Sequence, residues 1–145
     1  MPTLRLSTPA DGPRVMDIWR SAVDATHDFL SSDDRREIER EVEHFLPTAP
    51  LWLAVDGNDR AIGFMFLHEG HMEALFIDAS QRGTGTGRAL LNHALAMHPG
   101  LTTDVNEQNA QAVGFYERMG FQRTGRSASD SQGRPYPLIH LRHGG

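Results

Sequence analysis

The chain has 145 residues, enough for one domain across 1–145 whose core needs no covalent staples. Cysteine is absent, which excludes disulfides, thiolate metal sites and a covalent cysteine intermediate, and matches a reducing, cytoplasmic setting. A formal charge of -5 with no block of Lys and Arg argues against a nucleic-acid partner and favours a cationic or amine-bearing one.

No apolar run approaches the roughly 20 residues of a membrane span, and the start MPTLRLSTPADG has no signal-peptide core, so no membrane partner is expected. Thr3 to Ser7 alternates like a short strand. Pro9-Ala10-Asp11 opens a helical pattern carrying Val15, Ile18, Trp19 and Val23. Ser32 or Asp33 is expected to cap a charged second helix with Ile38, Val42, Phe45 and Leu46 on its apolar face, stopped by Pro47 and Pro50. Three strands follow at Leu51 to Asp56, Ala61 to His68 and His71 to Asp78, divided by the turn signals Asp56-Gly57-Asn58 and Glu69-Gly70. Leu90, Leu91, Ala94, Leu95 and His98 recur at helical spacing until Pro99-Gly100. A strand at Leu101 to Asn106, a helix at Asn109 to Met119, and strands at Gln122 to Ser127 and Leu138 to Leu141 complete an α+β order with a mixed sheet.

The stretch Arg82-Gly83-Thr84-Gly85-Thr86-Gly87-Arg88 places three glycines at alternate positions just before a helix. A Walker loop needs Lys-Ser/Thr after its last glycine, and here Arg88-Ala89 follows. A dinucleotide fingerprint needs a sixth-position glycine, and counting from Gly83 that position is Arg88. Two readings stay open: a flexible turn, or a helix N-terminus whose N–H groups face an anion, with glycines letting a diphosphate approach.

Arg82 to Gly87 also resembles the R/Q-x-x-G-x-G/A acetyl-coenzyme A signature of the GNAT family of N-acetyltransferases, here preceded by the strand residues Glu73 to Asp78. Asn109, Ala112, Phe115-Tyr116 and Gly120-Phe121 are similar, in register, to the family's second signature. One departure is Ala79, where the family commonly has proline. The resemblance implies a mixed, mostly antiparallel sheet of about seven strands, splayed between the fourth and fifth, with four helices. It implies acetyl-CoA as co-substrate and transfer to a primary amine by direct attack in a ternary complex. The acceptor is a small amine or a protein amine, and the protein is expected to be a monomer or homodimer. A non-catalytic acyl-CoA sensor of the same fold is the alternative.

Residue by residue, the resemblance implies pantetheine along the main chain of Leu75, Phe76 and Ile77, and the diphosphate on Arg82, Gly83, Thr84, Gly85, Thr86, Gly87 and Arg88. It also implies a cofactor contact for Asn109, whose simpler role is a helix cap. Tyr116 becomes the candidate general acid, because a phenol is protonated at neutral pH and can donate to a leaving thiolate; packing of the Phe115-Tyr116 pair is the other reading. His71 is the first candidate base, since imidazole titrates near neutrality. Glu73 is the second and Asp104 the third, Asp104 being otherwise a substrate contact. His27 and Phe29, between the first two helices, are expected to face the acceptor. Arg134 and Tyr136, in the loop Ser129 to Pro137, either shape acceptor access or simply lie on the surface. His68-Glu69-Gly70-His71 is one residue short of HExxH and sits on a predicted hairpin, so no metal is expected.

Overall fold

The computed structural model describes residues 2–144. Its elements are β1 (Thr3–Leu6), α1 (Gly12–Thr26), α2 (Ser32–Phe45), β2 (Trp52–Val55), β3 (Ala61–His68), β4 (His71–Ile77), α3 (Thr86–Met97), β5 (Thr102–Asn106), α4 (Ala110–Arg118), β6 (Phe121–Ser127) and β7 (Leu138–His143). The seven strands form one sheet in the order β1-β2-β3-β4-β5-β7-β6. The β4–β5 pairing is parallel, and its register positions are His71↔Thr102 and Met72↔Thr103, although β4 continues to Ile77. This is the α+β architecture with a mixed seven-stranded sheet expected from the signatures.

Two compact units make up the chain, the first comprising Met1–Phe66 and Ala74–His93. In it β2 pairs antiparallel with β1 and β3, with a bulge at Ala54/Val55. Val15, Met16, Ile18, Trp19 and Val23 lie on one stripe of α1 because helical spacing brings them together. They pack with Leu51, Leu53 and Phe64 in a single core. Burying a side chain such as Ile18 or Phe64, each 0% exposed, stabilises the unit by roughly 1.5–3 kcal/mol. Ile38 and Val42 of α2 pack onto this core as the apolar pattern requires. Phe45 does not: it is 48% exposed, its ring edge resting on Phe66 at 5.1 Å, while Leu46 turns inward from the 3-10 turn that follows. The cap of α2 is also one residue earlier than expected, because Ser31, in extended backbone, accepts the Asp34 N–H at 3.1 Å.

The second unit comprises Leu67–Glu73 and Ala94–Gly145. Here β7 lies between β5 and β6, antiparallel to both, with a bulge in β6 between Arg123 and Gly125. Alternation along β5 and β7 turns Thr103, Val105, Ile139 and Leu141 into the interior, where Val113, Tyr116 and Phe121 are also buried. Thr102, Asp104 and His140 fall at the other parity and remain at least partly accessible.

Candidate active site

In the first unit the end of β4 is anchored by Asp78. Arg14 Nη2 donates to its Oδ2 at 2.6 Å, and Ser21, Ser80 N–H and Ser80 Oγ donate to Oδ1 at 3.3, 3.0 and 3.0 Å. Burial pushes this carboxyl up, but the Ser80 N–H, the Arg14 guanidinium and the Ser80 hydroxyl outweigh it and hold the group below the usual carboxylate range. Arg14 also donates to the Ala61 carbonyl, and Ser21 Oγ accepts the Ala79 N–H, so α1, β3 and the turn after β4 share one polar clamp. These hydrogen bonds hold the turn at Ala79.

The glycine stretch leaves that clamp. Gly83 and Gly85 have φ of +79° and +87°, the left-handed region that side chains with a Cβ disfavour. Helix α3 begins at Thr86, which is earlier than the apolar pattern from Leu90 indicates. Ala89 N–H donates to the Gly85 carbonyl, and a helix leaves the N–H groups of its first turn without intrahelical partners. Thr86 is buried and Thr84 Oγ1, which donates to the Gln81 carbonyl, sits 2.9 Å from Thr86 Oγ1. Arg82 and Arg88 are exposed on either side. A Cβ at Gly83 or Gly85 would meet nothing within 4 Å, so the conformation and the open space together suit a diphosphate on the main chain.

Gly63 of β3 provides the floor: a Cβ there would approach Ile77 Cδ1 to 2.8 Å, Phe76 O to 3.2 Å and Thr86 Cγ2 to 3.2 Å. Phe76 stacks at 5.6 Å from Phe64 and 6.5 Å from the ring of His27. Phe29 lies 5.2 Å from the same imidazole. Thr26 Oγ1 donates its one proton to the Ala22 carbonyl at 2.7 Å, so its contact with His27 Nδ1, also 2.7 Å, requires that nitrogen to donate. The lone pair of the neutral ring is therefore on Nε2. Burial lowers the imidazole below its ordinary range, partly opposed by Asp28, and favours this neutral form.

In the second unit, Asn109 caps α4 by accepting the Ala112 N–H at 3.2 Å, the structural role open to it from the start. Tyr116 is 7% exposed and packs edge-on against Phe115 and Phe121 at 5.3 and 5.4 Å. Burial pushes its phenol up, and a hydrogen bond with Thr103 opposes this only in part, so the hydroxyl keeps its proton well past neutrality. His71 bonds Thr102 Oγ1 through Nδ1 at 2.7 Å and places Nε2 3.4 Å from Asp104 Oδ2. Asp104 Oδ1 in turn accepts from His140 Nδ1 at 2.6 Å, and His140 Nε2 is 2.6 Å from Ser127 Oγ. Glu73 is exposed, two residues along the strand from His71.

His140 and Ser127 were not singled out by the sequence. Their relation to Asp104 depends on the Asp104↔His140 register and on a bulged β6–β7 ladder, neither of which leaves a local signal. Surface placement of Arg134 and Tyr136 is also corrected: Tyr136 is buried, and Arg134 is tucked over a turn in which Asp130 accepts the Gln132 and Arg134 N–H groups.

Comparison with known proteins agrees with this architecture. The Acetyltransferase (GNAT) domain family matches residues 20–134. The chain is 56% identical to the peptidyl-lysine N-acetyltransferase YjaB of Salmonella typhimurium, over 97% of each chain. It is 54% identical to the Escherichia coli protein of the same name, over 99% of this chain and 97% of the relative. The solution structure of the apo form of Escherichia coli YjaB superposes with a TM-score of 0.96, covering 100% of this chain and 99% of that one. A Rhodopseudomonas palustris GNAT crystal structure, 16% identical with a TM-score of 0.79 over 98% of this chain and 94% of that one, shares the fold. Two glycine- and tyrosine-bearing signatures in order, a seven-stranded mixed sheet with parallel β4–β5 pairing, and relatives matched along nearly their whole length assign the chain to the GNAT family of N-acetyltransferases.

Proposed function

We propose that this protein transfers the acetyl group of acetyl-CoA to the side-chain amine of a lysine in a protein or peptide, by direct attack in a ternary complex within one catalytic domain. The left-handed glycines entering α3 carry this reading, because they free a run of main-chain donors for a diphosphate. The peptidyl-lysine acceptor is supported by what the relatives above 50% identity are named for, and by a net negative charge suited to a cationic partner.

Acetyl-CoA, when bound, supplies the activated thioester; the chain supplies position, charge and proton management. The N–H groups of residues 83 to 88 hold the diphosphate, with Arg82, Thr84 and Arg88 adding charge and hydrogen bonds. The main chain of Leu75, Phe76 and Ile77 pairs with the pantetheine amides, and Asn109, beyond capping α4, has amide hydrogens to offer the cofactor. His27, Phe29 and Asp104 contact the acceptor. His71 takes the ammonium proton, with Glu73 as its substitute, and Tyr116 Oη holds the proton needed by the departing thiolate. No metal is required by any of these steps.

The test is an acetylation reaction with acetyl-CoA, a panel of lysine peptides, and free amines as competitors, read by mass spectrometry. We expect the mass gain of one acetyl group in place of one hydrogen on each modified lysine side chain. Modification of free amines alone would replace the peptidyl acceptor, and no acetyl transfer with intact coenzyme binding would leave a sensor.

A further inference from the structure

In the second unit, a connected set of polar side chains runs Ser127, His140, Asp104, His71, Thr102. Its parts come from β6, β7, β5 and β4, four strands whose members of the set lie up to 69 positions apart in sequence and which the ladder brings side by side. Three of its ionisable side chains remain 26%, 37% and 35% accessible at His71, Asp104 and His140, so the set is open to exchange protons with an arriving amine. Neither the second imidazole nor the serine has a part in the reaction described above.

We propose that His140 and Ser127 are positioning residues for proton removal, acting through Asp104 on His71. This rests on His71 being the base. The hydrogen-bond donors dictate the protonation pattern. A carboxylate only accepts, so His140 must donate from Nδ1 to Asp104 Oδ1; the neutral ring then carries its lone pair on Nε2, where the Ser127 hydroxyl donates. Asp104 is thereby held by one oxygen, leaving Oδ2 directed at His71 Nε2.

At His71 the 3.4 Å separation from Asp104 is longer than a charge-assisted hydrogen bond, and the base form is the tautomer whose Nδ1–H donates to Thr102 Oγ1, with the lone pair on Nε2. When the ammonium N–H bond breaks, directly or through a water, the proton forms an N–H bond at Nε2 and the electron pair stays on the amine nitrogen. The resulting imidazolium has an acceptor for each N–H: Thr102 Oγ1 for Nδ1 and Asp104 Oδ2 for Nε2. The carboxylate stabilises the new positive charge, and the proton later leaves to solvent from the accessible ring. A carboxylate free to rotate would not offer this site, which is what His140 prevents.

The experiment compares the full-length wild type with His140→Ala, His140→Asn, Ser127→Ala and His71→Gln, measuring kcat and KM on a lysine peptide and recording imidazole nitrogen spectra. His140→Ala should lower kcat about tenfold with KM for both substrates little changed, the loss expected for a hydrogen bond to a charged group. His140→Asn, which keeps an N–H donor, should recover most of the rate. Ser127→Ala should cost less than His140→Ala, and the wild-type spectrum should show His140 protonated at Nδ1. His140→Ala with wild-type kcat, or a His140 protonated only at Nε2, overturns the positioning role even if His71→Gln is inactive. Full activity in His71→Gln would instead remove the base assignment itself, and with it the basis for this role.

Discussion

At the residue scale, Tyr116 packs in the interior and is also the side chain proposed to supply the acid. Its ring belongs to the buried set with Phe115 and Phe121, as expected for an aromatic pair on a helix, yet its hydroxyl is kept protonated by that burial. Tyr116→Phe retains the ring and deletes only the proton donor, so folding should survive while kcat falls by about 100-fold, within the usual range for a lost acid. Circular dichroism and steady-state kinetics on the same preparation check both halves. His27 offers a pH test. Its native-state value is below that of the unfolded chain because burial disfavours the cation. Below the ordinary imidazole range the unfolded chain binds a proton that the native state resists, so stability from this source falls as pH drops through the unfolded value. Thermal melts should therefore show a smaller loss between neutral and mildly acidic pH in His27→Phe than in the wild type.

Elements, rather than single residues, set the geometry of the loop. Gly63 lets β3 approach Ile77, the Phe76 carbonyl and Thr86 at once, and Asp78 ties the end of β4 to α1. In Gly63→Ala the methyl presses on all three, which should cost roughly 1–3 kcal/mol of stability and weaken acetyl-CoA binding, while KM for the peptide stays near its original value. Chemical denaturation with isothermal titration separates the two effects. The helix α2 makes a simpler prediction: Ser31→Ala removes the side-chain acceptor for Asp34 N–H and should cost about 1 kcal/mol without changing activity.

Element types and order were legible from periodicity, and the glycine run and the Asn109 cap were visible as local signals. The structure shifted what local signals cannot settle. Ser31 caps α2 because its backbone is extended, whereas Ser32 and Asp33 are already helical. Phe45 fits the apolar stripe but comes at the helix end, where the chain turns and Leu46 takes the interior place. His140 is an unremarkable histidine until β7 pairs with β5, since a strand register is set by partners far away in sequence.

For the molecule as a whole, the architecture and the family assignment say what class of reaction is run; the proposed site chemistry hinges on main-chain donors at the entrance to α3. The most direct measurement is isothermal titration of acetyl-CoA into the wild type and into Gly85→Val. A β-branched residue at φ of +87° is strained and fills the approach to the first turn of α3. We expect saturable binding at one site in the wild type and at least about tenfold weaker binding in the variant, whose left-handed backbone alone costs roughly 1–2 kcal/mol. Absence of binding to the wild type, or equal affinity in a folded Gly85→Val, would contradict the account.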